Sequence, residues 1–153
     1  MAINPNTDFT AGQVATADQM NRFPRGVMGT AVRTTGNLTL TTVNQDLTGM
    51  SITFTAVAGR LYRASWGANG LKNTTAGYTQ ITFANSANTL YGYSIAYGVS
   101  GNYFNLSGVS VISGLTAGSK TFKLRVVTEN NTSTIIAQAT GPLQFMIEDM
   151  GAA

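Results

Sequence analysis

The sequence predicts an all-β chain, an antiparallel sandwich or barrel preceded by an extended N-terminal arm with one short helix. Three observations lead there. After residue 26 the apolar residues recur with a period of two, as on strands with one buried face. The alternating runs are broken by turn chemistry: VAGR, NTTAG, ANSAN, GVSGN, TAGSK, ENNTS and ATGP. The chain of 153 residues holds 23 threonines and 17 glycines, which suits β-branched strand positions separated by turns. No long helical pattern intervenes, which argues against a parallel α/β sheet. No internal repeat points to a propeller or solenoid.

Residues 1–26 read differently from the rest. MAINPNTDF has Pro5 and no periodicity, so it is expected to be extended. Thr16 and Gln19 have the spacing of a capping box, with Ala17, Met20 and Phe23 on one side of a short helix. Pro24 disfavours helix at Phe23 and ends the segment. A helix of about two turns does not stand alone in water. Met20 and Phe23 must therefore lie on the domain's own flank or on another subunit. Arg22 and Arg25 flank the helix end; they can grip carboxylates on a partner, or simply complement the helix dipole. Phe9, Met20, Arg22, Phe23 and Arg25 are the candidate docking residues of an arm over 1–26, and 27–153 is the β domain.

The strands follow in order. Residues 28–34 and 37–41 are expected to be the first two. SITFT places Ile52 and Phe54 on one face. LYRASWGA places Tyr62, Ala64 and Trp66 together, with Trp66 in the core. YTQITFA buries Ile81 and Phe83, TFKLRVV buries Phe122, Leu124 and Val126, and PLQFMIED buries Leu143, Phe145 and Ile147. Further strands are expected near 89–97, 103–112 and 133–139. After Pro24 the only proline is Pro142, at a strand entrance, where a sheet tolerates it. Eight to ten short strands of this kind imply a sandwich or barrel.

The composition narrows the chemistry. There is no histidine and no cysteine. That removes the commonest general base, thiol chemistry, disulfides and zinc-finger ligation. The six carboxylates are Asp8, Asp18, Asp46, Glu129, Glu148 and Asp149. Only the last two are neighbours, and strand neighbours point to opposite faces, so they do not make an acid–base pair. The glycines of GYSIAYG and GVSGN lack the spacing and following helix of a phosphate loop. A non-enzymatic protein without cofactor or metal is expected. The nine basic residues are scattered and form no nucleic-acid-binding run. No window reaches the length of a membrane span, and no signal peptide is visible. Charged residues are only 10% of the chain, which suits either a surface largely covered by partners or a hydroxyl-rich β protein that stays soluble without them.

The stretch LYGYSIAYGVSGNYFNL puts Tyr91, Tyr93 and Tyr97 on one parity, and Tyr103 with Asn105 on another strand. Exposed tyrosines beside asparagines can stack on sugar rings and bond their hydroxyls. The favoured alternative is that they fill the core or a subunit interface, where tyrosine is also enriched.

The segment FTAGQVATADQMNRFPRGVMG resembles a stretch of bacteriophage virion proteins, with F-T-A-G, T-A-x-Q-M-N and P-R-G-V all present. NLTLTTVNQDLTGMSITFTAVAGRLYRASW, GLTAGSKTFKLRV and the closing FMIEDMG extend the resemblance to small β domains of minor tail, tail-fibre and head-decoration proteins. The resemblance implies a jelly-roll sandwich similar to tumour-necrosis-factor-like folds, assembled as a homotrimer. It further implies a particle component made in the host cytoplasm, docked through its arm on a capsid or tail protein. A host-surface glycan is the alternative partner. No catalytic residues are implied.

Overall fold

Alternating burial builds ten strands among the described residues, and every pairing between them is antiparallel. The computed structural model describes residues 14, 19–20, 23–130, 133–136, 138 and 140–153. The strands are β1 (Gly26–Arg33), β2 (Asn37–Thr39), β3 (Gln45–Ala56), β4 (Arg60–Asn73), β5 (Gly77–Asn85), β6 (Leu90–Gly98), β7 (Tyr103–Ile112), β8 (Gly118–Thr128), β9 (Ser133–Ile136) and β10 (Leu143–Ala152). One sheet runs β1-β10-β4, with β7 on the other side of β4 and the short β9 and β2 beyond its far end; the second runs β3-β8-β5-β6. Late strands return between early ones: β10 lies between β1 and β4, and β8 between β3 and β5. That interleaving of two sheets is a jelly roll.

The expected inward residues are the core. Ile52, Phe54, Tyr62, Ala64, Trp66, Ile81, Phe83, Phe122, Leu124, Val126, Leu143, Phe145 and Ile147 are all buried. Phe83 is the hub: its ring lies 5.1 Å from that of Phe122, 5.7 Å from Phe145 and 5.8 Å from Trp66. Each such ring pair adds about 1 kcal/mol beyond the area it buries. Trp66 also donates its indole N–H to Ser94 Oγ at 2.9 Å, joining the two sheets. Gly108 lies opposite Trp66 on β7, and a Cβ there would run into the indole.

Irregular steps in the ladders matter more than the strand limits. β3 begins earlier than its SITFT alternation shows, because the register slips between Asp46 and Ser51 around Gly49, whose φ is 80°. The ladder of β5 with β6 slips between Phe83 and Ala84, with Phe83 opposite Gly92 and Ala84 opposite Leu90. β10 slips against β4 between Asp149 and Gly151. A bulge of this kind reverses side-chain parity beyond it.

Candidate interaction surfaces

The β6 bulge divides the tyrosines. Tyr91 shares sequence parity with Tyr93 and Tyr97 but is turned to the other side of the sheet. Its ring packs edge-on against Phe122 at 5.2 Å and tilts on Phe83 at 6.0 Å. The expected row of three is thereby corrected to two. Tyr93 and Tyr97 are 60% and 69% exposed on the outer face of the β3-β8-β5-β6 sheet, across from Thr82 and Tyr78. Ile95 stands exposed between them, and Val99 follows. Tyr103 is exposed on the other sheet, at the start of β7, with the Lys72 ammonium 5.2 Å from its ring centre.

The outer face of the β1-β10-β4-β7 sheet is unusually bare. Ser65 and Gly67 of β4 lie between Gln144 and Met146 of β10 on one side and Ser107 and Val109 of β7 on the other. A shallow cleft of about 380 Å³ is lined here by Thr30, Val32, Ser65, Gly67, Gln144 and Met146. Gly67 forms its floor, and a Cβ added there would meet nothing within 4 Å. Val32, Val109 and Val111 stand exposed around it.

The end of the arm is tied to the domain by a group the sequence reading passed over. Arg60 is buried and forms a bidentate pair with the buried Asp149, at 2.6 and 2.7 Å. Its Nη2 also donates to the Phe23 carbonyl at 2.5 Å. Asp149 Oδ1 accepts the Gly151 N–H at 2.8 Å, inside the β10 bulge. Glu148, its neighbour, faces the other way and pairs with Arg63 at 2.6 Å. The two carboxylates therefore do not share a site.

Of the proposed docking residues, Met20 is exposed, Phe23 half-buried and Arg25 exposed. Phe9 and Arg22 lie outside the described residues, as does most of the expected helix; Gln19 and Met20 are helical. Asp46 accepts from Lys123 at 2.7 Å and Arg125 at 2.9 Å on an open strand face. The Lys123 hydrogen bond, with that of Arg125, holds its carboxyl below the usual carboxylate range. Among the described residues, no group of three or more histidines, cysteines or carboxylates could hold a metal ion, and no helix is long and apolar enough to cross a membrane.

No family model and no curated protein matches the chain. Among solved structures, murine APRIL at pH 5.0 aligns with a TM-score of 0.54 and 8% identity, over 82% of this chain and 100% of that one. The fold is an antiparallel jelly-roll sandwich similar to that of APRIL. Eiger TNF from S. frugiperda aligns with a TM-score of 0.46 and 8% identity, over 84% of this chain and 96% of that one. The tripod (BppUct-A-L) from the baseplate of bacteriophage Tuc2009 aligns with a TM-score of 0.49 and 12% identity, over 94% and 72%. At these identities the likeness is one of fold.

Proposed function

We propose that this chain is a non-enzymatic structural protein of a bacteriophage particle, displayed as a trimeric jelly-roll knob and docked through residues 1–26 on a capsid or tail protein. The particle assignment rests on the resemblance of FTAGQVATADQMNRFPRGVMG and FMIEDMG to virion proteins. The trimer rests on one observation, the glycine-floored cleft on the outer face of the β1-β10-β4-β7 sheet. Val32, Val109 and Val111 stand exposed beside it, and apolar side chains gathered on one face suit a contact with another subunit. The chain also carries an exposed apolar row on a different side, Tyr93, Ile95 and Tyr97 of β6 with Val99 just after it. A cleft on one surface and a ridge on another make a heterologous contact, which closes into a ring when the rotation allows it.

Gly67→Lys tests this reading. The open space above Gly67 accepts a side chain within one subunit, so the fold is expected to survive. The new side chain fills the cleft and places a charge in the interface, so light scattering is expected to show trimers for the parent protein and monomers for the variant. A variant that remains trimeric would refute the cleft as the interface. Under the same proposal, deleting residues 2–22 leaves the trimer intact and abolishes incorporation into particles.

A second reading is a module for host-surface glycans. The exposure of Tyr93 and Tyr97 on one face, with Gln80 between them on β5, favours it. Under this reading the row is free of the trimer contact, so replacing both by alanine should abolish cell adhesion and leave the light-scattering mass unchanged. Retained adhesion would remove the two tyrosines from that role.

A further inference from the structure

One end of the sandwich, between the β5–β6 turn and the β7–β8 loop, holds a pocket of about 410 Å³. That size falls within the range of small-ligand sites. Its wall is polar. Asn85 and Ser86 come from the turn, Thr116 from the loop, Ser119 and Lys120 from the start of β8, and Tyr91 from β6.

The pocket is formed before any ligand arrives. Asn85 accepts the Thr89 N–H on Oδ1 at 2.9 Å and the Asn88 N–H on its carbonyl at 3.0 Å. Asn88 adopts φ 66°, which a tight turn demands and asparagine tolerates. The Ser86 N–H donates to the Thr121 carbonyl at 3.1 Å and fixes the turn against β8. Tyr91 reaches the wall because of the β6 bulge, with its ring held by Phe83 and Phe122. Its hydroxyl makes no hydrogen bond among the described residues.

Lys120 is the unexpected member. It pairs with Phe54 across the β3–β8 ladder and shares parity with Phe122, Leu124 and Val126. Its side chain therefore leaves the strand on the inner side of the sheet. The ammonium donates to Thr116 Oγ1 at 2.8 Å and has no carboxylate partner among the described residues. An ammonium has three donors, so the others remain for a ligand.

The geometry points to a binding site for an acidic sugar, a pyranose bearing a carboxylate or a phosphate. The Tyr91 ring offers an amphipathic wall to the sugar ring. The Asn85, Ser86 and Thr116 side chains match its hydroxyls, and Lys120 takes the anionic group. This inference rests on the reading that the chain binds glycans, and gives the acidic sugar a site of its own in the end pocket, apart from the Tyr93 and Tyr97 face.

The test is a titration of the isotope-labelled full chain with D-glucuronic acid, D-glucose 6-phosphate and D-glucose, followed by amide chemical shifts. At least one acidic sugar should move the Ser86, Thr116 and Ser119 signals, and bind roughly tenfold more tightly than glucose, as a charge-assisted hydrogen bond allows. Lys120→Gln should remove that preference and Lys120→Arg should keep it, both with the parent's spectrum in the core. Equal binding of glucose and the acids would overturn the assignment of Lys120. Shifts confined to Tyr93 and Tyr97 would overturn the pocket and leave the glycan reading standing. Silence with all three sugars would also overturn the pocket; the glycan reading would then be judged by the adhesion of the Tyr93 and Tyr97 variant.

Discussion

Replacing Asp149 by asparagine should be among the most damaging isosteric changes in the domain. The carboxylate is fully buried and its partner Arg60 nearly so, with side-chain exposures of 0% and 3%. Breaking a buried ion pair from one side takes the carboxylate from the buried guanidinium and costs about 3–5 kcal/mol. Two contacts soften the loss. The amide oxygen can still accept the Gly151 N–H, and Arg60 keeps its bond to the Phe23 carbonyl. The lower end, about 3 kcal/mol, is therefore expected, or a fall of roughly 6–12 °C in Tm for a chain of this size. Urea unfolding monitored by circular dichroism measures it. The double variant Arg60→Met, Asp149→Leu removes both charges and should recover most of the stability, since apolar replacements of buried pairs are often neutral. It should also loosen the arm, because Phe23 loses the Arg60 donor, and so speed limited proteolysis ahead of β1. A single Asp149→Asn within about 1 kcal/mol of the parent would refute the reasoning, because that is the scale of a solvent-screened pair.

Gly108→Ala places a methyl group against the Trp66 indole and should cost about 1–3 kcal/mol, as overpacking does. Trp66 is the only tryptophan, so its fluorescence in a urea titration reports the shift directly, and an unchanged midpoint would count against the contact. Asp46 gives a pH dependence. Its folded pKa is lowered by Lys123 and Arg125, so its contribution is present above the unfolded pKa of about 4 and lost as pH falls through the folded value. Its side chain is 54% exposed, so Asp46→Asn should cost at most about 1 kcal/mol at pH 7. Urea midpoints of parent and variant should converge as pH drops below about 4, and a gap constant with pH would refute the linkage.

The strand set was legible because threonine-rich alternation left little choice of period. Tyr62, Ala64 and Trp66 can share a face only on a strand, and burial of that face follows from their bulk. The bulges were not legible. Nothing in LYGYSIAYG marks the extra residue that turns Tyr91 inward while Tyr93 stays outside, because the slip depends on how β6 seats against β5. The cleft on the other sheet was hidden for a similar reason. Gly67 carries no signal of its own until β10 and β7 set Gln144 and Ser107 to either side of it.

The charged core positions, by contrast, carried a signal in their parity. Leu143, Phe145 and Ile147 are inward, and Asp149 continues their count. Tyr62, Ala64 and Trp66 are inward, and Arg60 precedes them on the same count. A lone carboxylate on a core face is costly, and so is a lone guanidinium; the two at one end of adjacent strands answer each other. The same rule applied to β8 finds Lys120 on the count of Phe122, Leu124 and Val126. Here no carboxylate answers among the described residues. The lysine sits where the sandwich opens to solvent, which lowers the cost of its charge while leaving it aimed at the pocket. Arg60 and Lys120 thus break the same pattern with opposite consequences. One is closed by its own chain and holds the arm, and the other is left for a ligand to complete.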